Sequence, residues 1–547
     1  MSVNNHFAEL DEDKNYSRFS ETKELEKTFE WMDYESDSKV CKGGLSVETK
    51  SDLEGNVTAA LVDGTDTNTI IISSTGAGKT TRTLSPYMIN CTMAEEDLII
   101  HDPKGELYKF FHNILVEHGY EIMVINLRDP STGDRYNLLQ RAAKLYKSGN
   151  KGRALEIVKD IGHTIFASIV DKDDPFWTDS AVSLFMCYFM VACDLYEPQF
   201  VTVHAIYRIH IEGQFKMDRS CAILTYLEEH KNSKAYEQGI QSLTAPSDTK
   251  GGIFSVFTKG MLNLLTNDQI VDALTDSTVD IEKMVFDDKP TALFIITRDE
   301  APDTYSCLVS NIIYDIYSTL IDLAESTDDI TLPRTVHFIL EEFGNLAKLK
   351  NVDNMFSAAR SRNIRLVAVI QSLHQMYSKY AESEVKTLIG NSANLVYLHS
   401  TDVDMVKYIS DKCGTVYDAF LNKEVPLLST NRLAHLDKEK GETLLLCGRA
   451  YPYITYFPYI SHYKMIKPLK RIEIPKRTPI RVRHERLISK AKEIFERKRS
   501  GLKNIPTFEE FVNSRRAREK EGILDKKDEL IKDIDKMIAE LEEKDQQ

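Results

Sequence analysis

One stretch constrains this chain more than any other: Ile70-Ile-Ile-Ser-Ser-Thr-Gly-Ala-Gly-Lys-Thr-Thr81. Three consecutive isoleucines predict a strand buried on both faces. Gly76 and Gly78 predict a loop, and a helix is expected to start at Lys79-Thr80. Strand, loop and helix in this order make a phosphate cradle. Backbone N–H groups around Gly76 to Lys79 point inward, and the glycines remove Cβ atoms that would block an approaching anion. Thr75, Ala77 and Thr81 complete the cradle, and the helix N-terminus adds partial positive charge. Lys79 is expected to neutralise β and γ phosphates, and the Thr80 hydroxyl to ligate Mg²⁺. The full pattern for such loops has Gly five places before Gly78, where this chain has Ser73.

Hydrolysis of a triphosphate needs a carboxylate for the metal and a second to manage water. Val336-His-Phe-Ile-Leu-Glu-Glu-Phe-Gly344 offers both at the end of an apolar run. Glu341 is expected to hold Mg²⁺, directly or through water, and Glu342 to orient or deprotonate the attacking water. Asp is usual at the first position, and Glu341 reaches one methylene further. Downstream, Gln371 ends another apolar run and suits a polar sensor of the γ phosphate. Arg360 and Arg362 precede that run. Either is a surface salt-bridge residue or a cation inserted into a neighbouring subunit's site to stabilise transition-state charge.

Apolar runs predict eight strands: Thr69–Ser73, Asp97–His101, Glu121–Leu127, Thr291–Ile296, Thr335–Leu340, Arg365–Gln371, Asn394–His399 and Thr443–Cys447. Most are apolar on both faces, as in a parallel sheet covered by helices, so the fold class expected is α/β. Residues 176–285 read as helical and contain no convincing strand, predicting an all-α insertion within a discontinuous sheet domain of residues 43–175 and 286–465. Residues 1–42 form an acidic polar segment. Residues 466–547 begin basic and proline-interrupted and end in a charged helical tail. There Leu530, Ile534, Met537 and Leu541 make either a short coiled-coil-like seam or the apolar edge of a solvated helix.

Charge and cysteine content exclude several classes. The net charge of −15 rules out an overall basic coat for nucleic acid, but charge is uneven. Residues 1–40 carry 11 acidic and 5 basic side chains, whereas residues 464–486 carry 9 basic and 2 acidic. The eight cysteines form no C-x-x-C, so neither a zinc site nor a disulfide framework is signalled. The longest apolar stretch, Ala181–Cys193, falls short of the roughly 20 residues a spanning helix needs, and a core helix is expected instead.

These motifs together resemble the TraG/TraD-type coupling proteins of type IV secretion and bacterial conjugation. The matched segments run in order: Thr75–Thr80 with Pro86, then His101-Asp-Pro-Lys-Gly-Glu-Leu107, Asp129-Pro130, Tyr136-Asn-Leu-Leu139 and Asp174-Pro-Phe-Trp177. Glu341-Glu-Phe-Gly-Asn345, Ala359-Arg-Ser-Arg362, Gln371-Ser372 and Gly390-Asn391 complete the set.

The resemblance implies a RecA-like P-loop NTPase motor with an inserted all-α domain, ATP and Mg²⁺ as its nucleotide and metal, and a homo-oligomer that is hexameric when active. It implies a relaxase bound to single-stranded DNA as substrate, delivered to the channel ATPases of a secretion system. Arg360 is then the arginine finger and Gln371 the sensor. Most family members carry N-terminal transmembrane helices. This chain shows none, so the expectation is a cytoplasmic protein held at the inner face of the membrane by a separate small membrane protein. A duplex-DNA segregation or packaging motor and a nucleotide-binding adaptor that does not pump are the alternatives.

Overall fold

The computed structural model describes residues 16–36, 42–167, 169, 174–217, 220–265, 267–298, 302–480 and 486–500. The expected seam at Leu530–Leu541 lies outside these residues.

Three short strands come first: β1 (Glu30–Asp33), β2 (Leu45–Ser51) and β3 (Val57–Asp63). They pair antiparallel in the order β1-β3-β2. None was expected from the sequence, and β1 falls within the segment read only as acidic and polar. These strands are short and partly solvated, with charged residues among the apolar ones, so the buried-run signal is absent.

The main sheet contains β4 (Thr69–Ser73), β5 (Asp97–Asp102), β6 (Glu121–Asn126), β7 (Thr291–Ile296), β8 (Val336–Leu340), β9 (Ile364–Ile370) and β10 (Asn394–His399). These seven strands match the expected runs to within a residue or so and pair in parallel. A small hairpin of β11 (Thr415–Asp418) and β12 (Lys423–Pro426) follows. Then β13 (Glu442–Cys447) and β14 (Tyr453–Tyr456) add an antiparallel edge to the main sheet. The expected run Thr443–Cys447 is a strand, and it is the one of the eight that runs antiparallel to its neighbours. It runs antiparallel to β10, and a short turn then joins it antiparallel to β14. The order across the sheet is β14-β13-β10-β4-β9-β8-β5-β7-β6.

Strand alternation divides the core in two. Ile70 and Ile72 face one apolar cluster and Ile71 the other. On the first face lie the helices Lys151–Phe166, Pro175–Leu195 and Pro302–Glu325. On the second lie Ser85–Met93, Glu106–Glu117 and the small sheet. Both faces being covered explains why the parallel strands are apolar throughout.

Between β6 and β7 every described element of two residues or more is helical. Helix Pro175–Leu195 packs on helix Lys151–Phe166 as well as on Lys234–Thr244, so the helical layer takes in residues on both sides of position 176. Two helices, Pro175–Leu195 and Ser306–Glu325, are long and apolar enough to cross a membrane, and 67% of each apolar window is buried inside the fold. The first is longer than its apolar stretch suggested because the helix continues through Pro175–Ser180. Among the described residues the cysteines are all free.

Candidate functional site

The phosphate loop grows from the centre of the sheet. β4 ends at Ser73, which is fully buried, so a small side chain occupies the position where the pattern has Gly. The Ser74 N–H donates to His399 O at 2.9 Å, and Ser74 Oγ meets His399 Nδ1 at 2.7 Å. These bonds tie the root of the loop to the end of β10. Gly76 and Gly78 have φ of +76° and +94°, a region side-chain-bearing residues rarely enter. No atom lies within 4 Å of where a Cβ on Gly76 would project, so the cradle is open there.

The helix after the loop opens as a π turn, Lys79–Leu84, before continuing as Ser85–Met93. Pro86 has no N–H and cannot close a normal turn. The preceding Ser85 N–H reaches back five residues to Thr80 O, and its hydroxyl donates to the same oxygen at 2.6 Å. Arg82 leaves this turn inward. It stacks 3.6 Å from the Tyr459 ring centroid, donates to Glu439 O at 2.9 Å and also donates to Phe457 O. The loop helix is thereby latched to residues 439–459.

The carboxylates arrive from β8, two strands away from β4. Lys79 Nζ lies 3.0 Å from Glu342 Oε1 and donates to Glu341 O at 3.3 Å. The Thr80 hydroxyl donates to Glu341 Oε1. Glu341 is 3% exposed, and burial raises its pKa despite the Thr80 bond. Burial also pushes Glu342 up, but the Lys79 ammonium, the Asn345 amide and the charge of Lys104 together outweigh it and hold the carboxyl below its usual range. Glu342 Oε2 accepts from Asn345 Nδ2 at 2.7 Å. Glu341 Oε2 is buried with no hydrogen-bond partner. A hydroxyl oxygen beside a carboxylate with an unused buried oxygen fits a small hard cation such as Mg²⁺.

From the sequence, Asp102, Lys104 and Glu106 are expected just past a strand end near the nucleotide site, with no role given to them, and His101 is not assigned to it. His101 and Asp102 end β5 beside β8, and Glu341 N–H donates to His101 O at 3.4 Å. Burial lowers His101 to about 4 and raises Asp102 to about 7, the latter helped by the negative charge of Glu341. His101 Nδ1 and Asp102 Oδ1 are also buried without partners. The D-P-K-G-E segment at the end of a strand was the available signal.

Gln371 follows β9, the strand between β4 and β8, so it stands at the same edge as the cradle. Its side chain is half-buried. Arg360 stands elsewhere. It precedes β9 and pairs with Asp66, which precedes β4, at 3.5 Å, with 61% of its side chain exposed. A seven-residue strand separates it from the cradle edge, about 20 Å at the usual rise. Arg360 therefore cannot reach the phosphate loop of its own chain. A cavity of about 450 Å³ opens beside the loop, lined by Thr75, Gly76, His399, His435, Leu436 and Lys438 among others. It offers room for the base and sugar of a nucleotide next to the cradle.

The family model described as type IV secretory system conjugative DNA transfer matches residues 22–419. The chain is 23% identical over 359 residues to the protein VirD4 of Rhizobium rhizogenes and 22% identical over 359 residues to that of Agrobacterium fabrum strain C58. Each match covers 65% of this chain, and the chain spans about half the length of these relatives (50%). Among solved structures, the fold is similar to the plasmid coupling protein TrwB in complex with the ATP analogue ADPNP. That likeness has a TM-score of 0.59 at 14% identity and covers 85% of this chain and 97% of TrwB. TrwB in complex with ADP and Mg²⁺ gives 0.54 at 16%, covering 75% and 87%.

Proposed function

The chain belongs to the type IV secretory system conjugative DNA transfer family, and on that premise we propose that it is an ATP-driven coupling protein of a conjugative type IV secretion system. It recruits a relaxase–DNA complex to the channel and powers transfer of the single strand. The observation that carries this reading is the meeting of Lys79 with Glu342, and of Thr80 with Glu341, across some 260 residues of chain. Lys79 suits phosphate, Thr80 and Glu341 suit metal and Glu342 suits water, and all converge at one sheet edge. The TrwB complexes with ADPNP and with ADP and Mg²⁺ support ATP and Mg²⁺ as the ligands.

In this reading the loop amides hold the triphosphate, and Lys79 turns from Glu342 to the β and γ phosphates. Glu342, released from the ammonium, orients the attacking water and takes its proton. Thr80 and Glu341 would hold Mg²⁺, which when bound would supply positive charge against the phosphates. Gln371 senses the γ phosphate from the adjacent strand end. Arg360 is 61% exposed at the opposite edge and serves a neighbouring subunit, which requires a homo-oligomer, a hexamer when active. The division into a motor of residues 43–175 and 286–465 and a substrate-selecting helical insertion of residues 176–285 belongs to the same proposal. So does peripheral attachment to the membrane through a separate small membrane protein.

ATP hydrolysis by the purified chain and its Lys79→Ala variant, each with and without single-stranded DNA, tests this. Hydrolysis that DNA stimulates and the variant lacks is expected. No turnover under either condition favours the non-pumping adaptor, and stimulation by duplex alone favours a segregation or packaging motor. Hydrolysis retained by Lys79→Ala would refute the assignment of the loop.

A further inference from the structure

The described part of the basic stretch, residues 464–480, does not project from the fold. It runs as a strap across the same sheet edge as the phosphate loop, but over β5, β7 and β6. One end is held where Leu469 N–H donates to Lys109 O at 2.9 Å. The other is held where Gly133 N–H donates to Pro475 O at 2.9 Å and Arg477 Nη1 donates to Thr132 O and Asp134 O, both at 2.9 Å. Between these anchors Ile472 rests on Gly105, where a Cβ would lie 3.1 Å from Ile472 Cδ1.

Beneath the strap is a cavity of about 1110 Å³. The sheet side contributes Lys104, Lys109, Arg128 and Arg298, and the strap contributes Lys470, Arg471 and Lys476. Asp129 and Glu473 are the lining carboxylates. Among the described residues none of these seven cations forms an ion pair with a carboxylate. Arg128 and Arg298 are instead held by carbonyls: Arg128 Nη1 donates to Lys104 O and Arg298 Nε to Arg128 O, each at 2.9 Å. In a protein of net charge −15, seven cations against two carboxylates make a concentrated positive field.

We propose that this strapped cavity binds the sugar–phosphate backbone of a single nucleic-acid strand. The inference rests on the DNA-transfer reading above and places a binding surface for its substrate. Seven cations in so large a space suit several phosphates rather than one. Among the described residues no aromatic ring lines the cavity, so it offers bases no stacking surface and is directed at phosphates. That makes binding indifferent to sequence, as a transfer motor requires. The cavity also opens where ligands bind in parallel α/β sheets, beyond the carboxyl ends of the strands. It shares β5 with the nucleotide site: Asp102 ends that strand, and Lys104 and Gly105 follow it into the cavity. The D-P-K-G-E segment thus joins the two sites.

The test uses the full chain, a fluorescent oligothymidylate and the triple variant Lys470→Glu, Arg471→Glu, Lys476→Glu. Binding is followed by anisotropy against salt, with DNA-free ATP hydrolysis measured alongside. The expected result is affinity lowered at least about tenfold, with DNA-free hydrolysis unchanged. The salt slope should fall by roughly 0.7 for each phosphate that the variant no longer neutralises. Lys109→Glu, on the opposite wall, is expected to act in the same direction and serves if the triple variant fails to fold. Variants that bind the strand as wild type does overturn the inference and leave the transfer reading standing. A wild-type chain that binds no single strand overturns that reading itself. Loss of binding to phosphatidylglycerol vesicles with strand binding intact assigns the cavity to the membrane surface and overturns the inference.

Discussion

The ammonium of Lys79 lies 3.0 Å from Glu342 Oε1, so the cation that suits phosphate is held by the carboxylate that suits water. Both side chains are largely shielded, at 14% and 19% exposed, which makes the pair stronger than a surface bridge and leaves each group neutralised by the other. In the proposed function an arriving triphosphate would compete for the lysine and so free the carboxylate. Lys79→Ala should abolish nucleotide binding and hydrolysis, whereas Glu342→Gln should keep binding and lose about 10²- to 10⁴-fold in turnover. Nucleotide affinity and single-turnover rates, measured on both variants, separate the two roles. Equal loss of binding in both would remove Glu342 from its assigned part.

Glu341 presents an unused buried oxygen beside the Thr80 hydroxyl. Glu341→Ala should raise the Mg²⁺ concentration needed for half-maximal hydrolysis by at least about tenfold. Thermal stability should change little, because the lost Thr80 bond is offset by removal of a desolvated carboxylate. A magnesium titration of hydrolysis and a melting curve report the two effects separately.

Arg360 pairs with Asp66 in the open, and such a pair contributes at most about 1 kcal/mol. Arg360→Ala should therefore melt as wild type does while losing hydrolysis. Mixing Arg360→Ala with Lys79→Ala subunits should restore part of the rate, since one supplies an intact loop and the other an intact arginine. An unrestored mixture would argue against action between subunits.

Arg82 holds the loop helix to the segment around Tyr459 through charged hydrogen bonds and ring stacking. Arg82→Ala should cost about 3 kcal/mol in denaturant unfolding. It should also weaken nucleotide binding, because the helix that positions Thr80 loses its anchor and the cavity beside the loop loses one of its lining side chains. Tyr459→Leu should reproduce a smaller part of both effects.

Asp97 begins β5, at the far edge from the nucleotide site. Its carboxylate accepts from Thr291 N–H at 2.7 Å and Arg334 Nε at 2.9 Å, and burial raises it from 3.8 to about 6. Between those two values the folded chain holds a proton that the unfolded chain has released. The stability contribution is thus fully present below about pH 4 and is lost as pH rises through about 6. Asp97→Asn should flatten that part of the pH dependence of the urea midpoint. An unchanged slope would show that Asp97 titrates normally.

The parallel strands were legible because each is buried on both faces, and such strands read as runs like Thr69–Ser73 and Thr291–Ile296. β2, with the sequence LSVETKS, and β14, with YITY, carry no such run and went unread. His101 and Asp102 were visible as part of a motif, yet nothing local indicated that β5 would lie against β8. Arg82 looked like any helix residue, since its partners at Glu439, Phe457 and Tyr459 lie more than 350 residues away.

By itself the amino-acid order determined the phosphate loop, because backbone sterics at Gly76 and Gly78 and the apolar run before them act over a few residues. It likewise supplied the paired glutamates at the end of their strand. Only the folded chain decided that β9 would separate β4 from β8, that Lys79 would meet Glu342, and that the basic strap would close over β5, β6 and β7. Strand order and strap placement follow from burial and pairing between distant segments, and no short-range pattern encodes which neighbour a strand will take.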